Sequence, residues 1–313
     1  MEKKKISTRD AYGKALVEFA NEYKNMVVLD ADLVGATKTG LFQKEYPGRH
    51  FDCGIAEANM MCVAAGLATE GFIPVVSSFA IFAAGRCYEQ VRNSIGYPKL
   101  NVKIVATHGG ISVGEDGATH QSNEDLALMR SIPGMLVLSP SDAIETRLAL
   151  KAALDYVGPV YIRLGRADLE VFNDKEDYEF SLGKGVKLLD GDNVTLISTG
   201  LPVYDVLESS KLLKQNGVSA EIINIHTIKP IDAQIIIDSA KKTGKVVVIE
   251  EHSIIGGLGD AVASVLSESN PVPILKIGVP DIYGHSASAK ELLDEFGLTS
   301  EKIYKKVISW LND

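Results

Sequence analysis

Residues 108–121 read HGGISVGEDGATHQ. Two imidazoles, two adjacent carboxylates and four glycines share this one stretch. Imidazole and carboxylate are the usual side chains for moving protons. Glycine frees the backbone from Cβ sterics where a loop must come close to a ligand. The apolar run at 102–106 precedes the stretch and reads as a buried strand, and in open α/β sheets ligands bind just beyond the carboxyl ends of strands. These residues are the first candidate for a site.

Three letter patterns compete for the chemistry. Gly110, Ser112 and Gly114 spell G-x-S-x-G, but a nucleophile elbow needs a sharp strand-to-helix turn. Glu115, Asp116 and Gly117 make a poor helix start. His108, Glu115, Asp116 and His120 are metal-ligating types, yet their spacing fits no helical H-E-x-x-H pattern, and no protein-held metal is assigned. The IIGGLGD stretch at 254–260 has two glycines of a dinucleotide fingerprint, but Val262 stands where the third belongs. A tight turn is the better reading.

Glu57 lies in GIAEANM, residues 54–60, at the first turn of the most apolar helix of the chain. A helix dipole favours an acid there. Burial on such a helix would desolvate the carboxyl and raise its pKa, which suits a proton-handling group. Phe79 and Phe82 in SSFAIF, residues 77–82, read as core packing or as a ring platform for a flat cofactor. Arg163 and Arg166 close the run VYIRLGR and read as a solvated pair, with bidentate phosphate binding as the alternative. Arg9 carries no signal by itself.

Alternating elements must position these groups. Strands are expected over 26–30, 51–54, 73–77, 102–106, 135–138 and 160–164, with helices over 7–22, 56–69, 83–95, 124–131 and 143–156. The helix at 56–69 is apolar nearly all round, which predicts burial on every side. Residues 168–181 are acidic and aperiodic and read as a linker. Strands over 194–198, 219–224, 246–250 and 274–277 follow, alternating with helices over 203–216, 232–243 and 259–268. Helices over 287–296 and 300–311 close the chain. This alternation predicts two α/β domains, residues 1–175 and 176–313, each a mostly parallel sheet with helices on both faces. The 313 residues suffice for two domains, and 46% apolar content supports their cores. A net charge of −9 argues against nucleic acid as a partner, and no apolar run is long enough to span a bilayer. Cys53, Cys62 and Cys87 lack metal-ligand spacing and read as reduced core thiols of a cytoplasmic protein.

Taken together, ADL at 31–33, GIAEANM, SSFAIF, THGGISVGEDGATHQ at 107–121 and GR at 165–166 resemble the carboxyl-terminal half of a transketolase, in that family's order. The resemblance implies a thiamine-diphosphate enzyme that transfers a two-carbon ketol unit from a ketose to an aldose. It implies that residues 1–175 are the pyrimidine-binding domain and residues 176–313 the C-terminal domain. It gives Glu57 the role of bonding the aminopyrimidine ring and promoting its imino tautomer. Phe79 and Phe82 would pack on that ring, with Asp32 near the cofactor. Asp116 would bond a sugar hydroxyl and His120 would contact the donor near the reacting carbons. Arg9, His108 and Arg166 would hold the sugar phosphate.

The chain departs from the family at several points. Ala118 replaces a usual proline. A tyrosine of the ring platform aligns near Gly85, and a phosphate-holding serine near Ala36, with Thr37 as a substitute. The family's GDG motif, which grips the cofactor diphosphate through Mg²⁺, does not occur, and the sequence opens where the pyrimidine domain opens. The resemblance therefore implies one subunit of a split transketolase in an α₂β₂ assembly. An N-terminal subunit would carry the diphosphate site and the Mg²⁺. A β subunit of a 2-oxo-acid dehydrogenase and a non-catalytic regulatory subunit are the alternatives. GEDGATHQ favours sugar transfer over the first, and the presence of Glu57 and Asp116 disfavours the second.

Overall fold

Runs without polar alternation, such as MVVLD at Met26–Asp30 and KIVAT at Lys103–Thr107, form strands buried on both faces, as central parallel strands are. The structure is a computed structural model and describes residues 4–174 and 178–313. The domain division expected between residues 175 and 176 lies outside the described residues. Fourteen strands occur among those described: β1 (Lys5–Ser7), β2 (Met26–Asp30), β3 (His50–Asp52), β4 (Ile73–Phe79), β5 (Lys103–Thr107), β6 (Leu136–Leu138), β7 (Val160–Arg163), β8 (Asp168–Glu170), β9 (Val186–Leu189), β10 (Val194–Ser198), β11 (Ala220–Asn224), β12 (Thr227–Lys229), β13 (Val246–Ser253) and β14 (Ile274–Val279).

The first sheet has the order β12-β6-β7-β5-β4-β2-β3, and the second β14-β13-β10-β11-β9. All pairings are parallel except those of the edge strands β12 and β9. Side chains alternate between two cores on either face of the first sheet. Leu29, Val76 and Ile104 pack with Met60, Met61 and Ala64 of the helix Glu57–Thr69. Val28, Val75 and Val105 pack with Tyr12 and Leu16 of the helix Thr8–Phe19 and with Leu150 of the helix Ala143–Asp155. The second sheet is covered on both faces in the same way. The two α/β layers with helices on both faces are those the alternation predicts.

Four strands were not legible. β1 and β8 pair antiparallel, so the aperiodic 168–181 segment is a linker only after its first residues. β9 closes the edge of the second sheet. β12 lies between second-sheet elements in sequence yet pairs antiparallel with β6 of the first sheet. Its Ile228 enters the first core, while Ile111 of the candidate loop enters the core of the second sheet. Each half thus plugs the other.

The helix Glu57–Thr69 is not buried on every side: Asn59, Cys62, Val63 and Gly66 line an exposed face. Packing within this chain therefore accounts for Met60, Met61 and Ala64 but not for the exposed Cys62 and Val63. Cys62 is exposed and Cys53 half-buried, so only Cys87 is the buried core thiol expected of all three. Residues expected as one helix over 83–95 form two wide π-type segments, Ile81–Arg86 and Val91–Gly96, around a short α turn. No helix among the described residues is long and apolar enough to cross a membrane.

Candidate active site

Strands β2, β4, β5 and β7 end side by side in the first sheet, and most of the predicted site residues follow those ends, while Glu57 follows β3 and Arg9 lies in the helix Thr8–Phe19. Phe79 is the last residue of β4, and Phe82 is the second residue of the next segment, Ile81–Arg86. Their rings stack at 6.0 Å. His108, directly after β5, stacks on Phe79 at 3.8 Å. His120 returns from the far side of its loop and meets both rings edge-on, 5.4 Å from Phe82 and 6.3 Å from Phe79. Four aromatic groups from three segments form one cluster, in which His108 covers Phe79 and His120 stands edge-on to both phenyl rings.

His108 sits at φ +57, a conformation uncommon for a side-chain-bearing residue. Thr107 Oγ1 lies 2.9 Å from its Nδ1. Burial pushes its pKa down to about 3, and the charges of Arg9 and Arg166 and the proximity of His120 act the same way. The ring is neutral at ordinary pH, so it can exchange hydrogen bonds but supplies no charge.

Glu57 starts its helix with the side chain only 2% exposed. Arg86 Nη1 donates to its Oε2 at 3.0 Å, and the same guanidinium lies 4.4 Å over the Phe82 ring. Sequence reasoning missed Arg86. It stands one residue from Gly85, where the resemblance marked a lost platform tyrosine, and it supplies a planar group there instead. A lone arginine four residues after Phe82 in an apolar segment was the available signal. Cys87 beside it is inert: its Sγ donates to Phe82 O and Ala83 O, and burial, with Glu57 adding, pushes the thiol up to about 12.

The anionic-tail residues are placed less evenly. Arg9 Nη1 donates to Ala36 O at 3.1 Å, while its buried Nε has no partner. Arg166 donates to Val113 O and lies 3.5 Å from Glu115 and 3.7 Å from Asp116. Arg163 is not solvated. It is 6% exposed and ion-paired to Asp125 at 3.1 Å. Thr37 does not substitute for the missing serine, because it is fully buried and donates to Asp30 Oδ2 at 2.6 Å. Asp32 is exposed, and its backbone N–H donates to Asp52 Oδ1 at 3.1 Å. The buried carboxylate of that loop is Asp30, which also accepts from Leu33 N and Thr39 Oγ1.

Two rejected patterns have structural reasons. Ser112 is 1% exposed inside a 3₁₀ turn, Ile111–Asp116, far from an exposed elbow. At the glycine loop before the helix Leu258–Ser269, Glu250 already fills the anion position, accepting from Leu258 N at 2.6 Å and Gly259 N at 2.8 Å. Among the described residues no group of three or more His, Cys, Asp or Glu side chains is arranged to hold a metal ion.

Residues 4–171 match the family described as the transketolase pyrimidine binding domain, and residues 183–303 match the transketolase C-terminal domain. A Methanocaldococcus jannaschii protein described as a transketolase C-terminal section is 50% identical over 302 residues, covering 96% of this chain and 95% of that one. A 6-deoxy-6-sulfo-D-fructose transketolase subunit of Clostridium sp. (strain MSTE9) is 44% identical over 297 residues, covering 95% and 92%. A solved structure titled as a split gene transketolase, inactive beta4 tetramer, superposes with a TM-score of 0.89 at 49% identity over 98% of each chain. With matches to both family domains and relatives of this identity along nearly its whole length, the chain belongs to the transketolase family.

Proposed function

We propose that this chain is one subunit of a split, thiamine-diphosphate-dependent transketolase that moves a two-carbon ketol unit from a ketose to an aldose. The observation that carries the reading is the cluster of Phe79, Phe82, His108 and His120, joined to buried Glu57 by the Arg86 guanidinium. An aromatic cluster beside a buried carboxylate suits an aminopyrimidine ring. When bound, thiamine diphosphate supplies the nucleophilic carbon that breaks and remakes a bond next to a carbonyl. The chain's own residues do the rest. Glu57 bonds the ring and manages its proton, with Arg86 holding Oε2. Phe79 and Phe82 set the ring plane, and Asp32 belongs to the loop that lines this side. Neutral His108 faces the donor sugar together with His120, Asp116 accepts from a sugar hydroxyl, and Arg9 and Arg166 attract an anionic tail.

The diphosphate and its Mg²⁺ are assigned to an N-terminal partner subunit, in an α₂β₂ assembly, because the chain has no GDG motif. The names of two similar proteins, a C-terminal section and a subunit, support this, as does a β₄ tetramer described as inactive. Residues 1–175 and 176–313 are assigned as the pyrimidine-binding and C-terminal domains.

Assays of the chain alone, and after co-purification with its partner, test the reading with ketose donors and 2-oxo acids side by side. Ketol transfer by the complex alone is the expected result. Turnover by the isolated chain would sink the split enzyme. Decarboxylation without ketol transfer would move the chain to the 2-oxo-acid dehydrogenase group.

A further inference from the structure

The 110–122 loop is pinned at its neck from two sides. Gly110 N donates to Ser122 O at 2.8 Å and closes the loop on itself. From the first sheet, Arg163 packs against Gly109, where a Cβ would lie 2.6 Å from Nε, and donates to Ser122 O. From the second sheet comes Glu251, near the end of β13. Its Oε1 accepts from Ser112 N at 2.6 Å, and its backbone carbonyl accepts from Arg163 Nη2 at 2.7 Å. The carboxylate occupies the space left by Gly110, where a Cβ would lie 2.4 Å from Oε1. Gly110 itself holds φ +82 and ψ −169, a region essentially closed to other residues. Two residues further along β13, Ser253 N donates to Asn123 O at 2.7 Å. Gly109 and Gly110 thus admit two buried charged side chains, Arg163 and Glu251, one from each half of the chain.

We propose that Glu251 is a positioning residue of the active site: it fixes the neck of the 110–122 loop, so that the second domain sets where Asp116 and His120 stand against the donor sugar. The inference rests on the proposed role of that loop in sugar recognition. It gives the second domain a task in binding, carried by one carboxylate 139 residues away in sequence from the amide it holds.

The test compares wild type with Glu251→Ala and Glu251→Gln, in the full chain and in its complex with the partner. Glu251→Ala should speed backbone hydrogen exchange around Ser112 about tenfold and raise the donor KM about tenfold, the size expected for a lost charge-assisted bond. Thiamine diphosphate affinity and exchange in the second sheet should not change. Glu251→Gln keeps a carbonyl acceptor and should recover most of both effects. A merely structural role would instead lower kcat, cofactor affinity and donor affinity together. Gly110→Ala attacks the same contact from the loop side and should reproduce the KM effect if Glu251→Ala does not fold. Unchanged exchange at Ser112 in Glu251→Ala overturns the inference. Faster exchange with an unchanged donor KM overturns the sugar-loop reading on which it rests.

Discussion

At the scale of single residues, the site combines groups whose surroundings set different tasks. Glu57 is buried with one charged partner, and its value lies in the proton it can share. Glu57→Gln keeps the shape and removes that capacity. Exchange of the thiazolium hydrogen, followed by NMR in the assembled enzyme, should slow at least roughly 100-fold, and a near-wild-type rate would remove the assigned role. Arg166 is different, since Asp116 and Glu115 already lie within 3.7 Å. A sugar phosphate must compete with them or draw the guanidinium away. Arg166→Ala should weaken phosphorylated acceptors by about 1.5–3 kcal/mol and leave an unphosphorylated aldehyde nearly untouched. An equal loss with both acceptors would argue against anion recognition. Residue types and spacing marked His108 and His120 as candidates, while only the family resemblance joined Glu57 and Phe79 to them as a set. Arg86 and Glu251 were not legible, because each acts on a group 29 or 139 residues away, and no local pattern encodes a partner that distant.

At the scale of elements, the junction between the halves is tied at the start of the helix Ala143–Asp155. Asp142 caps it through Oδ1, accepting from Glu145 N at 2.9 Å, and its Oδ2 accepts from Phe172 N and Asn173 N of the linker. Asp142→Ala should lose the cap, about 0.5–2 kcal/mol, and about 1–3 kcal/mol more for the orphaned linker amides, read as a lower urea midpoint. Glu145 beside it accepts from Ser141, Tyr178 and Asn224, and burial pushes its pKa up to about 7 from an ordinary 4.5. Between those values the folded chain keeps a proton that the unfolded chain has released, so this group's contribution to stability falls as pH rises through the window. Glu145→Gln cannot ionise and should gain stability relative to wild type between about pH 5 and pH 8 in urea titrations. A pH-independent difference would show that the carboxyl does not titrate there. Long apolar runs such as β2 and β4 were legible because burial on both faces leaves an unbroken signature. TIK at β12 and VKLL at β9 were not, since edge strands of three and four residues carry too few positions for a period to show.

At the scale of the molecule, the two halves are exchanged rather than merely joined. Ile111 sits in the second core, Ile228 in the first, and β12 covers the edge of β6. The full chain should therefore unfold in one thermal transition by both near- and far-ultraviolet circular dichroism. A fragment ending at Asp174 should aggregate, since it leaves β6 as an uncovered edge; a monomeric, cooperatively folding fragment would show that β12 is dispensable. The same strand governs the order of events during synthesis. N-terminal domains commonly fold first as a chain emerges from the ribosome at about 5–20 residues per second. Here the first sheet has six of its seven strands once Arg163 is out, but must wait for Lys229 before its edge is closed. For several seconds the nascent chain offers an open strand to any neighbour on the same messenger RNA, and the growing second half must reach it first.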